Sequence, residues 1–164
     1  MANPNFPYFI SELLLVPQAQ ALMDGSYKYP RLRGKVTFFE TRAGVLVATE
    51  VTGLPDYTNP CDSSFFGFHI HQGSSCTGNA TDPFTNAQGH LNPLNCTHPH
   101  HAGDLPSLQN NNSYAFSISL SNRFSIDEII GSTVIIHAMP DDFRTQPSGD
   151  SGEKIACGVI TRLN

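Results

Sequence analysis

From residue 18 onward, short β-like runs alternate with polar, turn-rich segments. ALMDG at 21–25 is a weak strand signal. RGKVTFFE at 33–40 and GVLVATEVTGLP at 44–55 are rich in Val, Thr and Phe, and TRAG between them suits a hairpin connection. FFGFHIH at 65–71 is the next run, and SYAFSISLS at 113–121 alternates at period two. STVIIHA at 132–138 and KIACGVITRL at 154–163 are short and β-branched, and FSIDEIIG at 124–131 suits one helical turn. Two stretches carry no period: 72–113, rich in Gly, Asn, Pro and His, and PDDFRTQPSGDSGE between the last two runs. A loop as long as 72–113 is uncommon inside a compact domain and is usually functional. The pattern predicts an all-β sandwich or barrel with two functional loops. Residues 1–17 read as an N-terminal extension to one domain at 18–164.

Composition narrows this without changing it. A chain of 164 residues suits one domain with an adequate core. The net charge of −5, with no basic run, argues against a nucleic-acid partner. No segment approaches the roughly 20 apolar residues of a membrane span. The start, MANPNFPYFISELLLV, lacks a basic region and Glu12 interrupts its apolar run, so no signal peptide is read. Cys61, Cys76, Cys96 and Cys157 form no CxxC pair, which argues against a cysteine zinc site. Four separated cysteines allow two disulfides in any of three pairings, or four reduced thiols.

Histidine placement is the strongest signal. All seven histidines fall between 69 and 137. In a strand, residues i and i+2 share a face, so His69 and His71 project together while Phe68 and Ile70 face the other way. Two such imidazoles can bind one metal ion, although HxH alone is a weak signal. His137 ends another β-branched run and His90 sits in GHLNP. HPHHAGD then places His98, His101 and Asp104 at intervals of three, a spacing that a loop can wrap around a tetrahedral ion. Imidazole suits zinc and copper. Six histidines and one aspartate stand against up to eight ligand positions, which leaves room for one histidine to serve two metals if its ring loses both protons and bridges.

GFHIH, GHLNP, HAGDL, VIIHAMPDD and KIACGVI together resemble the copper/zinc superoxide dismutase family, in order and spacing, from about Gln18 to the C-terminus. The resemblance implies a flattened eight-stranded Greek-key β-barrel, an immunoglobulin-like sandwich, with a long metal-binding loop and a short electrostatic loop. It implies copper on His69, His71, His90 and His137, zinc on His90, His98, His101 and Asp104, and a bridging His90. His101 rather than His100 matches the family motif, because it directly precedes AGD. Asp141 resembles the carboxylate that bonds the free nitrogens of His69 and His98. Cys76 and Cys157 resemble the disulfide that pins the ligand loop to the last strand. Cys61 and Cys96 depart from the usual pattern and are candidates for a second bridge. The implied reaction is dismutation of superoxide to oxygen and hydrogen peroxide, with a homodimer as one family assembly. Disulfides favour an extracytoplasmic setting, whereas the unread signal peptide does not, so compartment stays open.

One departure concerns the substrate channel. Where the family usually has arginine, three residues before the cysteine of ACGV, this chain has Lys154, preceded by Glu153. Lysine keeps the charge but loses the planar fork that fixes an anion, and Glu153 adds a like charge to the substrate. Anchoring is therefore expected to be weakened. Arg144 is the only basic residue between Asp142 and Lys154, and Ser148 is expected on the channel rim. The main alternative is a non-catalytic or weakly active metal-binding protein on the same barrel, against which the full ligand set argues. A zinc hydrolase lacks a general base near HxH, and a copper-delivery protein lacks CxC or CxxC.

Overall fold

The computed structural model describes residues 16–56, 61 and 64–164. The reading of residues 1–17 as an extension lies almost wholly outside them. Among the described residues nine strand segments form: β1 Ala19–Gly25, β2 Arg33–Thr41, β3 Gly44–Thr52, β4 Phe65–Phe66, β5 Phe68–His71, β6 Leu108–Gln109, β7 Tyr114–Ser121, β8 Thr133–His137 and β9 Lys154–Arg162. Seven of them make one sheet in the order β5-β8-β9-β1-β2-β3-β7, and β4 pairs with β6. Every pairing is antiparallel. The run FFGFHIH is broken at Gly67, whose N–H donates to Met139 O and whose carbonyl accepts from His137 N–H. With β4 and β5 taken as one interrupted strand, eight antiparallel strands make a nearly closed barrel. The long irregular stretch carries more structure than its lack of period suggests: the short β6 and a 3-10 turn at Thr85–Ala87.

The core follows strand alternation. Val36 and Phe38 of β2, Val45, Val47 and Val51 of β3, and Phe68 and Ile70 of β5 are buried inside the barrel. A single helical turn, α1 (Ile126–Ile129), carries a capping box in which Glu128 accepts from the backbone N–H of Ser125. It buries Ile126 and Ile129 against the same core.

β7 forms where its alternation predicts, but with the large residues outside. Ala115 is buried, whereas Tyr114, Phe116, Ile118 and Leu120 are 37%, 61%, 50% and 46% exposed. Register with β3 decides this. Ala115, Ser119 and Ser121 lie opposite Val51, Val47 and Val45, and cross-strand partners share a face. The valines take the interior, so the row Phe116, Ile118 and Leu120 faces out.

Among the described residues no helix is long and apolar enough to cross a membrane.

Candidate metal centre

β5 lies at one end of the seven-stranded sheet, and the long loop runs along its outer edge. Ile70 N–H donates to Gly103 O, Leu91 N–H to Ile70 O, and Gln72 N–H to Gly89 O. The backbones meet so closely that a Cβ on Gly103 would stand 2.2 Å from the Ile70 carbonyl oxygen. This lacing lays the loop over the outer face of β5, the face that period two assigns to His69 and His71. Both histidines are buried as a result.

Cys76 and Cys157 form a disulfide that ties the loop to β9 across 81 residues of sequence. Phe84 and Ala87 of the loop pack with Ile135 and Cys157 in a small cluster of their own. Cys96 is a free, half-buried thiol, held in a turn where the Asn92 side chain bonds its N–H and its carbonyl. Cys61 is exposed, with most of its neighbours outside the described residues. The pairing expected between Cys61 and Cys96 is not formed in the structure.

Two groups of side chains gather under the loop: His69, His71, His90 and His137, and His90, His98, His101 and Asp104. In each, the candidate ligand atoms lie within 4.8 Å of one another. These are the two sets named from the sequence, and His90 belongs to both. His100 is exposed and belongs to neither.

Hydrogen bonding fixes which nitrogens point inward. His71 Nδ1 is 2.7 Å from the carbonyl of Gln88, and His137 Nδ1 is 3.2 Å from that of Gly152. A carbonyl only accepts, so each Nδ1 carries the proton and each Nε2 carries a lone pair. Those two Nε2 atoms face each other at 3.2 Å. His69 gives Nε2–H to Asp141 Oδ2 at 2.8 Å, which leaves its Nδ1 buried without a partner. His98 gives Nε2–H to Asp141 Oδ1 at 2.9 Å and turns Nδ1 toward Asp104 Oδ2 at 3.1 Å. His90 presents Nδ1 to Asp104 Oδ1 at 2.7 Å and to His101 Nδ1 at 3.4 Å. Its Nε2, buried and unpartnered, is left for the first group.

Protonation does not relieve these lone pairs at neutral pH. Burial, followed by the charges of His69 and His90, pushes His137 down to about 3. Burial, with His137 and His90 next, holds His71 well below its ordinary value. Burial also lowers His69, against the upward pull of Asp141. Burial alone would raise Asp141, but bonds from His69, the Phe143 N–H and His98 bring it to about 2. His69, His71 and His137 are therefore held neutral and Asp104 and Asp141 ionised, the protonation states that metals require.

The donor set fits two cations. Adjacent lone pairs with no proton between them repel unless a positive charge lies among them. A tetrahedral ion with ligand bonds of about 2.0–2.1 Å has ligand–ligand edges of about 3.3 Å. In the second group His90 and His101 Nδ1 lie 2.7 and 3.3 Å from Asp104 Oδ1 and 3.4 Å from each other, and His98 Nδ1 lies 3.1 Å from Asp104 Oδ2. Its mixed imidazole and carboxylate donors suit zinc, and the all-imidazole first group suits copper.

A cavity of about 400 Å³ opens onto the first group and is lined by His71, His90, His137, Asp82, Ser148 and Lys154, among others. Ser148 thus sits where it was expected. Glu153 also lines the cavity, but it is not an unbalanced charge: Lys28 Nζ is 2.7 Å from its Oε2 and Tyr29 Oη donates to Oε1 at 2.9 Å. Lys154 is paired too, with Nζ 2.5 Å from Asp82 Oδ2. Sequence reasoning missed Asp82, because TDPF reads only as a turn. It also missed Gln88 and Gly152, which act through backbone carbonyls and leave no side-chain signature.

Comparison with known proteins agrees with the chemistry. The family described as Copper/zinc superoxide dismutase (SODC) matches residues 32–160. A superoxide dismutase [Cu-Zn] of Aquifex aeolicus is 33% identical over 143 residues, covering 77% of this chain and 78% of the relative. One from Legionella pneumophila is 35% identical over 136 residues, covering 77% and 76%. A crystal structure of a SOD-like protein from Bacillus subtilis superposes with a TM-score of 0.70 at 29% identity, over 85% of this chain and 96% of that one. A family that uses copper and zinc, an eight-stranded barrel and two histidine groups sharing one ring agree, and the chain belongs to the copper/zinc superoxide dismutase family.

Proposed function

We propose that this protein dismutates superoxide to oxygen and hydrogen peroxide. Copper would be held by His69 Nδ1, His71 Nε2, His90 Nε2 and His137 Nε2. Zinc would be held by His90, His98 and His101 through Nδ1 and by a carboxylate oxygen of Asp104. The observation that carries this reading is His90, a member of both groups, whose Nδ1 lies beside Asp104 and His101 while its buried Nε2 has no partner. A protein that only stored metal has no use for a shared imidazole.

When bound, copper supplies one-electron exchange between two oxidation states and zinc supplies a fixed, redox-silent charge. The remaining work belongs to the side chains. Gln88 and Gly152 orient His71 and His137, so that their Nε2 atoms face the cavity side. Asp141 holds His69 and His98 with one carboxylate, which keeps both rings in the tautomer a cation needs. His90 Nε2 is the atom placed to hold a proton and release it to the reduced substrate. The net reaction converts two superoxide anions and two protons into one O2 and one H2O2. Lys154 supplies the positive charge at the cavity mouth that an anionic substrate requires.

Stopped-flow observation of superoxide decay with protein carrying one copper and one zinc, against a zinc-only sample, tests the reading. Copper-dependent shortening of the superoxide lifetime is expected. Equal lifetimes in the two samples would mean a metal-binding scaffold without this activity.

A further inference from the structure

The ion pair at the cavity mouth is a feature the dismutase reading does not need. The Lys154 side chain is 17% exposed and ends 2.5 Å from Asp82 Oδ2. Glu153, the adjacent acid, is turned toward Lys28 and Tyr29 and does not compete for Lys154. Lys154 and Lys28 are thus each matched by a carboxylate of the same chain. We propose that Asp82 is a built-in competitor for the anion subsite: its carboxylate occupies the Lys154 ammonium that a small anion must engage, and so governs how fast and how selectively anions are captured. That the natural anion is superoxide rests on the function proposed above; the competition itself does not.

Geometry makes the device displaceable. The Asp82 side chain is 37% exposed, so it can swing toward water, and a partly exposed pair of this kind is only weakly held. Its two oxygens have separate tasks. Oδ1 accepts the Phe84 N–H at 3.0 Å and keeps the turn that leads into the 3-10 segment. Oδ2 alone faces Lys154. Asparagine keeps an oxygen for Phe84 and removes the charge, so Asp82→Asn separates the electrostatic role from the structural one.

The first test needs no copper and no turnover. Azide, a small monovalent anion, is titrated into zinc-loaded, copper-free protein while the Lys154 Cε resonance is followed by NMR. Asp82→Asn should tighten azide about tenfold over the parent, and Asp82→Asn combined with Lys154→Met should abolish the response. In copper- and zinc-loaded protein, Asp82→Asn should raise the superoxide decay rate about three- to tenfold at low ionic strength and steepen its fall with added salt. A purely structural role would not alter the salt slope. Asp82→Ser, which can still accept from Phe84, provides a second variant should the first fold poorly. Equal azide affinity and equal salt slope in the variants and the parent would overturn the proposal. If the loaded parent failed to shorten superoxide lifetime, the dismutase reading would fall, and the azide titration would still decide the role of Asp82.

Discussion

Asp141 gives one oxygen to His69 and the other to His98, while Oδ1 also accepts the Phe143 N–H at 2.6 Å. Asparagine offers only one acceptor oxygen, so in Asp141→Asn one imidazole loses the acceptor for its Nε2–H and is pushed toward the tautomer that protonates Nδ1. Metal affinity should fall about 10- to 100-fold. Chelator competition with zinc and copper in turn checks this, and unchanged affinity for both would mean that Asp141 does not orient the rings. Gly149, at φ +68°, makes room for the same carboxylate, since a Cβ there would stand 1.9 Å from Asp141 Oδ1. Gly149→Ala should therefore reproduce the loss without touching a ligand. At this scale the sequence is highly legible. Side-chain identity marks a candidate ligand, so His69, His98 and Asp104 could be picked out by spacing. Backbone carbonyls and glycine clearances depend on where distant loops come to rest, and nothing local in PSGD or AQGH announces them.

At the scale of elements, the loop over β5 is stapled by the bridge between Cys76 and Cys157. Closing a loop of 81 residues stabilises the fold by about 4.5 kcal/mol in the chain-entropy account. Cys76→Ser should lower stability by up to that amount in chemical denaturation. It should also loosen Gln88 and with it the orientation of His71, so copper binding should weaken more than zinc binding. Equal losses for the two metals would show that the staple holds the whole loop rather than this strand of it. Strand positions were readable because β-branched and aromatic residues cluster between turn residues. The facing of β7 was not, because alternation says which residues share a side and only pairing with β3 says which side is inside. β6 went unread because two residues, Leu108 and Gln109, carry no period.

For the whole molecule, the buried imidazoles tie stability to acidity. His137 sits at about 3 when folded and near 6.5 when free. Above pH 6.5 both states are neutral there and nothing is lost. As pH falls from 6.5 toward 3, the unfolded chain takes up a proton that the folded chain refuses, so folding is disfavoured. Asp141, at about 2 against its ordinary 3.8, adds a second loss below pH 3.8. The Tm of metal-free protein should fall steadily from pH 6.5 downward, and a Tm constant from pH 6.5 to 4 would contradict neutral burial of these rings. The outward row of Phe116, Ile118 and Leu120 has a colloidal consequence as well. A charge of −5 at pH 7 keeps copies apart, and that repulsion vanishes near pH 5.7. Copies brought together there meet through the apolar outer face of β7. Light scattering should show a solubility minimum near pH 5.7 that Ile118→Lys relieves, and an equal minimum in that variant would clear this row of responsibility. The valines that β3 keeps dry inside the barrel thus leave the protein with a greasy exterior, and its shelf life in mildly acidic solution is where that arrangement becomes visible.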